Sequence, residues 1–447
     1  MAKKRARVPL NVFLNGRLVG WLRREGSGAI DFQYADEWLS WSHTFPVSLS
    51  LPLREDRYVG DRVIAVFDNL LPDNEDTRRR LAARNHAGGI DPYSLLAAIG
   101  RDCVGALQFL PDGIDPGPAG EVNGQPIDDQ AIEARLANLE SAPLGIGEDE
   151  EFRISLAGAQ EKTAFLYWNE RWHIPQGSTA TTHILKPQIG KRDGRDLTQS
   201  VENEYLCMQI LGALGLPVAP TRIADFGDQR ALVIERFDRQ WAKDGRLLRV
   251  PQEDCCQALS IPPTRKYEND GGPGIAAILE FLKGSNEPAA DQRRFMKAQI
   301  AFWLLAATDG HAKNFSVFLY PGGGFKLTPL YDVMSTQPLF DREQLQRNQM
   351  RLAMAVGDSR HYKLLEIAPR HFIESAGRAG MPKATVDAIL GELVESLPAA
   401  INSVCGSLPA DFPAPVRDAV AEGVRQRLKI AAADVSARAA ASTLRPP

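Results

Sequence analysis

The 447-residue sequence predicts an α+β fold, with strands prominent in the first part and helices in the last part. At the start, VFL (12–14), Asn15-Gly16 and RLVGWL (17–22) predict a β-hairpin, because Asn-Gly is favoured in two-residue hairpin turns. Near the end, the apolar residues of HFIESAGRAG, ATVDAILGELVESL and PVRDAVAEGVRQRL recur at helical spacing. Strands and helices mix between these regions, and no internal repeat is apparent.

Composition and charge exclude several classes of protein. A chain of this length with 44% hydrophobic residues is expected to form two or three globular units. Its formal net charge of −4 gives no overall attraction to nucleic acid or acidic membranes. The basic start, MAKKRAR, is short and is expected to be disordered. There is no run near ~18 apolar residues and no secretory signal, so we expect a cytoplasmic chain without a membrane segment.

The cysteines also argue against an oxidised or zinc-bound scaffold. Five cysteines are scattered along the chain without a C-x-x-C pair. An odd number without close spacing is typical of reduced thiols in the cytoplasm, and it disfavours a disulfide framework or a structural zinc site.

Local patterns divide the chain further. DRVIAVFDNLL (61–71) predicts a helix that is broken by Pro72, and DNEDTRRRLAAR predicts a second one with an Asp or Asn cap. Asp91-Pro92 opens another short helix, and VGALQFL (104–110) predicts a strand. PDGIDPGPAGEVNGQP (111–126) is rich in Pro and Gly, which predicts a loop or linker, and a short helix follows at about 128–140. The predicted parts are an N-terminal β-meander/α subdomain at 1–110, a linker with a short helix at 111–150, a strand-rich part at 151–240 and a mainly helical part at 241–447.

A dense polar stretch, ATDGHAKNFSVF (307–318), follows the apolar run FMKAQIAFWLLA. FSVFLY and FKLTPLY alternate around a Pro-Gly-Gly-Gly turn and predict a hairpin. Because a hairpin brings its two ends together, Asn314 should lie within a few ångström of Asp332. Asp309 is one turn upstream, in the loop that leaves the helix.

These three residue types suit phosphoryl transfer. The oxygens of Asn314 and Asp332 are ligands that Mg²⁺ accepts, and Mg²⁺ commonly shares its coordination with substrate phosphates. A nearby carboxylate, Asp309, could orient or deprotonate an attacking hydroxyl. Each residue alone has a simpler explanation: Asp309 as a helix cap, Asn314 as a turn residue and Asp332 as a solvated carboxylate. Together with the hairpin, they favour a site.

Two upstream segments could bind a nucleotide. In THILKP (182–187), Lys186 lies in an apolar strand, where an ammonium group is costly unless it meets an anion such as an ATP phosphate. The alternative is an edge-strand lysine that reaches water. In ALVIERFDR (231–239), a strand ends in polar residues, and the backbone around Glu235 and Phe237 would hydrogen-bond adenine.

ISLAGAQEKT (154–163) has small residues at its tip, which would let backbone N–H groups approach a phosphate. Taken alone, it is better explained as a plain turn. In the helix VENEYLCMQILGALGL (201–216), Glu204 either interacts with the helix dipole or pairs with Lys186. The order of these segments along the chain is the order found in kinases. The candidate nucleotide-binding residues of the small-residue loop are Ala157, Gly158, Ala159, Gln160, Glu161 and Lys162.

The same segments resemble the HipA family, bacterial serine/threonine protein kinases that act as the toxin of a toxin–antitoxin pair. The resemblance is carried by ISLAGAQEKTA, ERFDR, VPQEDCCQALSIPPTRKYENDGGPGI and ATDGHAKNFSVF followed by LTPLYDV. LSLPL (49–53) and FDNLLPD (67–73) extend it over nearly the whole chain, close to the founding enterobacterial member.

The resemblance implies a protein-kinase-like fold related to lipid kinases, with an N-terminal α/β subdomain and a mainly helical C-terminal subdomain. Residues 151–240 would be the ATP-binding part, and the catalytic loop would lie at 307–335. Asp309 would be the catalytic base, while Asn314 and Asp332 would hold Mg²⁺.

The nucleotide contacts are also implied by the resemblance. Lys186 would bind the ATP phosphates, and Glu235 and Phe237 would hold adenine through their backbone. Ser155 matches the serine that these kinases autophosphorylate. A phosphate adds about −1.5 to −2 charges, which would be repelled by ATP phosphates, so autophosphorylation would inactivate the enzyme.

The implied substrate is an aminoacyl-tRNA synthetase, chiefly the glutamyl enzyme, whose inactivation halts translation and leads to dormancy and persistence. The implied partner is a small helix-turn-helix antitoxin that dimerises on operator DNA and would hold this chain at the operator, so that the complex represses its own operon.

Three points stay open at the level of sequence. His311 could brace the loop, and Lys313 could touch the γ-phosphate. RKYENDGGPG (265–274) could dock a substrate or be a structural turn.

A small-molecule or phosphoinositide-like kinase is the first alternative function, although no basic amphipathic membrane-binding stretch is evident. A non-enzymatic repressor subunit is the second alternative. The presence of all four residues expected of an active kinase argues against it: Asp309, Asn314, Asp332 and Lys186.

Overall fold

The computed structural model describes residues 9–146 and 153–443. The expected disorder of the basic N-terminal stretch therefore lies outside the described residues. The chain forms two compact units built from alternating segments. The first unit contains the chain up to Pro187, together with Ala224–Arg265 and Ser316–Phe325. The second contains Gln188–Ile223, Lys266–Phe315 and the chain from Lys326 onward.

Strands and helices are numbered along the chain. The strands are β1 (Leu10–Leu14), β2 (Arg17–Arg24), β3 (Ile30–Tyr34), β4 (Tyr58–Val59), β5 (Asp102–Cys103), β6 (Leu107–Pro111), β7 (Gly124–Ile127), β8 (Ile154–Ser155), β9 (Thr163–Trp168), β10 (Arg171–Pro175), β11 (His183–Pro187), β12 (Gly190–Arg192), β13 (Arg195–Leu197), β14 (Thr221–Phe226), β15 (Gln229–Glu235), β16 (Arg239–Trp241), β17 (Leu247–Arg249), β18 (Gln252–Asp254), β19 (Ser316–Leu319), β20 (Phe325–Leu327), β21 (Arg351–Val356) and β22 (His361–Lys363). The α-helices are α1 (Asp36–Leu39), α2 (Asp61–Asp68), α3 (Glu75–Arg84), α4 (Pro92–Ile99), α5 (Asp129–Ala137), α6 (Ser200–Ala213), α7 (Cys255–Ala258), α8 (Ile275–Leu282), α9 (Pro288–Leu305), α10 (Gln337–Asp341), α11 (Pro369–Arg378), α12 (Lys383–Gly406) and α13 (Ala414–Thr443).

The first sheet of the first unit has the order β4-β3-β2-β1-β6 and contains the predicted N-terminal hairpin. Its turn residues, Asn15 and Gly16, both have positive φ, at 46° and 79°. This is the backbone that a two-residue hairpin turn of the favoured type requires. The predicted caps are also confirmed, since Asn74 and Asp91 accept hydrogen bonds from backbone N–H groups at the starts of α3 and α4.

The second sheet has the order β14-β15-β11-β9-β10-β7. The prediction that residues 111–126 are only a loop is wrong at its end, because β7 pairs with β10. β7 is an edge strand, where Pro126 is tolerated and few apolar side chains are needed. One face of this sheet is covered by α5, whose Ile132 and Leu136 pack with Phe165 and Leu185.

A buried charge network centred on Asp102 joins the ends of several strands in the first unit. The Asp102 carboxylate accepts hydrogen bonds from the backbone N–H and hydroxyl of Thr181 at 3.0 and 2.7 Å. It also accepts from Arg239 at 2.8 Å, Arg249 at 3.1 Å and Arg236 at 3.3 Å. Four residues are therefore tied to one carboxylate by these five hydrogen bonds.

A second buried carboxylate, Asp238, completes this network. It accepts from Arg236 at 2.8 Å and from the backbone N–H of Gly105 at 2.7 Å. Burial alone would raise the pKa of Asp102, but the neighbouring arginines lower it well below its usual range. The network thus stays charged, and it fixes the position of the residues that directly follow β15.

The second unit is built around α9, which is buried along most of its length and packs against α6, α8, α12 and α13. Lys297 of α9 donates to the Leu214 carbonyl and to Glu392 of α12, both at 2.5 Å. The predicted C-terminal helices are confirmed as α11, α12 and α13.

α12 is the one helix of the described residues that is long and apolar enough to cross a membrane by length and composition. Its buried residues include Val386, Leu390, Leu393 and Leu397, at the spacing of one helix face. This face packs against α6, α9, α11 and α13 of the same unit, as in a core helix of a folded domain.

Replacement of Asp102 should strongly destabilise the first unit. In Asp102→Asn, three buried guanidinium groups lose their shared counter-charge, which we expect to cost about 3–5 kcal/mol. Urea denaturation of the purified chain measures the change. Asp244→Asn is the matched control, because it removes a carboxylate from an exposed pair with Arg246. Equal midpoints for the two variants would contradict a supporting role for the network.

Glu253 in β18 should make stability depend on pH. It is 1% exposed and accepts from the backbone N–H of Leu49 at 2.7 Å. Burial raises its pKa from 4.5 to about 8, so the folded chain keeps a proton that the unfolded chain releases. The contribution is fully present below 4.5 and is lost as pH rises towards about 8.

We therefore expect the urea midpoint of Glu253→Gln to fall less than that of the wild type between pH 5 and pH 8. Parallel pH profiles of the two proteins would contradict this assignment.

Candidate active site

The polar stretch begins where α9 ends. Ala306 has a left-handed φ of 54° and closes the helix, with backbone bonds from Ala306 to Trp303 at 3.2 Å and from Ala307 to Phe302 at 2.8 Å. Such a left-handed residue is a common helix ending. It turns the chain sharply out of the buried helix and into the Asp309 loop.

The free carbonyls of α9 are satisfied by a segment that follows Asp332. Ser335 donates through its hydroxyl to the Leu305 carbonyl at 2.6 Å, and Thr336 donates through its N–H to Ala306 at 2.9 Å. The side chain of Asn203 in α6 holds Ser335 by two bonds to its backbone, at 2.8 and 2.9 Å. The segment after Asp332 is therefore fixed beside the loop that follows α9.

Within the second unit, the structure brings the three predicted residues together. The Asn314 side-chain N–H₂ donates to the Asp309 carbonyl at 2.8 Å and reaches the Asp332 carbonyl at 3.5 Å. Backbone bonds from His311 to Asp309, at 2.8 Å, and from Asn314 to His311, at 2.9 Å, tighten the loop. The expected approach of Asn314 to Asp332 is confirmed.

In this arrangement the Asn314 amide offers one oxygen that could serve as a Mg²⁺ ligand. Because the amide nitrogen of Asn314 faces two carbonyls, its amide oxygen points away from them and is oriented as an acceptor. Asp332 is held at a left-handed φ of 60°, a conformation that Asp tolerates better than most residues. The described residues contain no cluster of three or more His, Cys, Asp or Glu that could hold a metal. A cation here would take further oxygens from its substrate or water, as Mg²⁺ does.

The other polar residues of the loop are buried. His311 and Lys313 are 4% and 6% exposed. The Tyr267 ring packs edge-on against His311 at 4.9 Å, and the Tyr331 hydroxyl donates to the Lys313 carbonyl at 2.7 Å. Tyr267 also donates to Asp309 Oδ1 at 2.5 Å. The sequence of residues 265–274 indicated only a turn or a docking segment, since no local pattern connects Tyr267 to Asp309.

The predicted nucleotide-binding residues outside the loop lie in the first unit. Lys186 is 4% exposed in β11 and pairs in register with Leu232 of β15. It is not at a sheet edge, which removes the edge-strand alternative. Glu235 ends β15 and is exposed, and the Phe237 ring lies edge-on to Phe318 at 5.8 Å. Both are thus at the end of the strand, as expected.

Glu204, weighed as a partner for Lys186, is buried in α6 of the second unit. It lies in the second turn of the helix, whereas Glu202 lies in the first turn and accepts from Gln188 at 2.8 Å. Its depth in the helix makes the simple dipole explanation weaker for Glu204 than for Glu202.

Ser155 is in a strand and not in an open loop. It lies in β8, which pairs with β5, and is 0% exposed. Its hydroxyl donates to the Leu70 carbonyl at 2.7 Å. The apolar pattern around ISL fits this buried strand, and only the residues after Leu156 form the turn. In this conformation the hydroxyl is closed off from solvent.

The following small-residue turn folds onto the segment FDNLLPD of the same unit. The backbone N–H of Asp73 donates to Gly158 at 3.1 Å. The Lys162 ammonium donates to the Ala157 carbonyl at 2.7 Å, so this bond joins the two ends of the turn. Its neighbours also have partners, since Gln160 donates to the Pro187 carbonyl at 3.3 Å and Glu161 lies 3.7 Å from Arg80; Ala159 is exposed.

The fold and these residues define an α+β protein with a HipA-type kinase fold, and comparisons with known proteins agree. Residues 10–110 match the HipA N-terminal domain, and residues 154–401 match the HipA-like C-terminal domain. The solved structure of HipA from Shewanella oneidensis MR-1, in complex with HipB and its operator DNA, aligns with a TM-score of 0.78 and 26% identity. This alignment covers 94% of this chain and 96% of that one.

Curated relatives lead to the same family. Y4mE of Sinorhizobium fredii, which carries the name of a kinase, is 36% identical over 88% of this chain and 91% of its own length. The serine/threonine-protein kinase toxin HipA of Shewanella oneidensis is 27% identical over 90% of each chain. The chain belongs to the HipA family.

Gly310 should be intolerant of any side chain, because a Cβ atom there would lie 2.5 Å from the Phe302 ring. Phe302 is itself 2% exposed and packs on Phe315. We expect Gly310→Ala to lower the free energy of unfolding by about 1–3 kcal/mol through overpacking. Adding Phe302→Leu to the same chain should restore part of this stability. Urea denaturation measures both.

Gly391→Ala is the matched control for Gly310→Ala. Gly391 lies inside α12 with no atom within 4 Å of an added Cβ, so alanine should not destabilise the helix. A Gly310→Ala protein as stable as the wild type would show that the loop does not depend on this close approach.

Proposed function

We propose that this chain is an ATP-dependent serine/threonine protein kinase and the toxin of a toxin–antitoxin module. The observation that carries the proposal is the linkage of Asp309, Asn314 and Asp332 through the Asn314 amide in the second unit. These are the residue types that kinases use to activate a hydroxyl and to hold Mg²⁺, in the same order along the chain. Membership of the HipA family supports it.

Each candidate residue has a role in this proposal. Asp309, exposed at the loop, is the base that accepts the proton of the attacking hydroxyl. Asn314 and Asp332 would hold Mg²⁺, which would neutralise developing charge on the transferred phosphate when bound. Lys313 and His311 lie within the same loop; His311 braces it, and Lys313 is assigned to the γ-phosphate.

The first unit would bind the nucleotide. Lys186, buried in a central strand, is assigned to the ATP phosphates, since a buried ammonium group is stabilised by an anion. The backbone of Glu235 and Phe237, where β15 ends, is assigned to adenine. The turn from Ala157 to Lys162 is assigned to the phosphates.

Ser155 is proposed as the autophosphorylation site. Because its hydroxyl is buried and bound to Leu70, the segment around it must leave β5 before phosphate can be added. The new charge of about −1.5 to −2 could not return to that buried position. Phosphorylation would therefore hold the segment out and inactivate the kinase.

The remaining roles rest on the family. The physiological substrate is proposed to be an aminoacyl-tRNA synthetase, the glutamyl enzyme in the first instance, with arrest of translation and dormancy as the result. By analogy with the complex that HipA of Shewanella oneidensis forms with HipB and operator DNA, we propose a helix-turn-helix antitoxin dimer as the partner. That complex would act as a repressor in the cytoplasm.

The experiment incubates the purified full-length chain with γ-labelled ATP and Mg²⁺, with and without purified glutamyl-tRNA synthetase. We expect label on Ser155 and on the synthetase in the wild type, and no label at position 155 in Ser155→Ala. The rate of phosphoryl transfer should fall at least about 10³-fold in Asp309→Gln, because this variant lacks the base. Phosphopeptide mass spectrometry locates the label.

The outcomes separate this function from its alternatives. Brisk transfer to phosphoinositides or to a small alcohol, without any protein phosphorylation, would favour a small-molecule or lipid kinase. ATP turnover equal in wild type and Asp309→Gln would contradict the assigned base. A chain that binds the antitoxin and operator but transfers no phosphate would be a repressor subunit only.

A further inference from the structure

The segment RKYENDGGPG (265–274) provides a direct contact to the candidate base. The Tyr267 hydroxyl donates to Asp309 Oδ1 at 2.5 Å. A hydroxyl bound to a carboxylate at this distance makes a charge-assisted hydrogen bond, which is about twice as strong as a neutral one. Asp309 is otherwise an exposed side chain at the surface of its loop, with two rotatable bonds.

Tyr267 is itself held in place from several directions. Its ring packs edge-on against the buried His311, with the centroids 4.9 Å apart. The carbonyl of the preceding residue, Lys266, accepts from the Ala312 backbone N–H at 3.3 Å. The Tyr267 carbonyl accepts from Gly272 at 2.9 Å, so the turn closes on itself. The phenol is therefore attached to the Asp309 loop at both its ring and its backbone.

The next residue anchors this segment to the rest of the second unit. Glu268 accepts from the backbone N–H of Ala355 in β21 at 2.6 Å, and its other oxygen lies 3.3 Å from Arg360. These bonds fix the position of the backbone around Tyr267 relative to β21. A tyrosine mounted in this way can restrict the side chain that it contacts.

We propose that Tyr267 is a positioning residue for the phosphoryl-transfer reaction. It binds Oδ1 of Asp309 and thereby fixes the direction of Oδ2, which accepts the proton of the acceptor hydroxyl. In the step itself the acceptor oxygen forms a bond to the γ-phosphorus, the bond from that phosphorus to the bridging oxygen of ATP breaks, ADP leaves, and the acceptor proton moves to Oδ2. The inference rests on the proposed kinase function.

A bond that orients the base acts on the chemical step and not on nucleotide binding. Loss of the Tyr267 hydroxyl should therefore lower kcat and leave KM for ATP unchanged. A purely structural tyrosine would affect the thermal midpoint, or both kinetic constants together. This difference separates positioning from a general contribution to folding.

The test compares the full-length wild type with Tyr267→Phe, using Mg²⁺ and ATP, and measures ADP formation and label incorporation into protein. We expect kcat to fall about tenfold, which corresponds to about 1.4 kcal/mol, while KM for ATP changes less than about twofold. The thermal midpoint should be unchanged. Tyr93→Phe is the matched control, because Tyr93 is a partly exposed tyrosine of α4, outside the assigned nucleotide-binding and catalytic segments.

A second comparison tests whether Tyr267 acts through Asp309. On an Asp309→Asn background, Tyr267→Phe should cause no further loss, because the oriented carboxylate is already gone. An additional tenfold loss there would overturn the inference.

The remaining outcomes are also decisive. An unchanged kcat in Tyr267→Phe, with an active wild type and a strongly reduced kcat in Asp309→Asn, overturns the inference and leaves the proposed function standing. Phosphotyrosine at position 267 in the wild type would make this hydroxyl an acceptor and overturn the positioning role. A wild type that forms no ADP and labels no protein removes the proposed function, and this inference with it.

Discussion

The candidate active site depends on how α9, a helix whose C-terminal part is buried, comes to an end. α9 is surrounded by other helices, so its last carbonyls must find donors inside the protein. Ser335 and Thr336 supply donors to the carbonyls of Leu305 and Ala306, and Arg427 supplies one to Leu304. Asn203 holds Ser335 in turn. This solution places the chain after Asp332 beside the chain after α9. Helix capping therefore acts together with the hairpin between Asn314 and Asp332 to hold these residues close. Any chemistry there uses a geometry that the fold needs for its stability.

The first unit uses buried charge for a comparable purpose. Asp102 receives hydrogen bonds from three arginines that come from the ends of different strands, and Asp238 shares two of them. The arginines lower the pKa of Asp102 well below its usual range and also lower the pKa of Asp238, so both carboxylates stay ionised. The segment that follows β15, which carries the proposed adenine contacts, is thereby held by this network. Each charge in the network is stabilised in the interior by the opposite charges around it.

Local patterns predicted much of this fold and part of the site. The Asn15-Gly16 hairpin, the caps of α3 and α4 and the three C-terminal helices depend on neighbouring residues, and they are confirmed. The approach of Asn314 to Asp332 followed from one hairpin. The contact between Tyr267 and Asp309 spans 42 residues and depends on tertiary packing, so no local pattern could reveal it. The burial of Ser155 was missed for the same reason, because its strand partner comes from β5. The catalytic and binding roles stay predictions.

The discontinuous first unit has a consequence for how the chain is made. β18 pairs with β19, which begins at Ser316, so the unit lacks one of its strands until that part of the chain has left the ribosome. By then, residues 188–223 and 266–315 of the second unit have already been synthesised. Strand pairing over such a separation is slow compared with local helix formation. During translation, the chain must therefore be synthesised as far as Phe325 before the first unit can be completed.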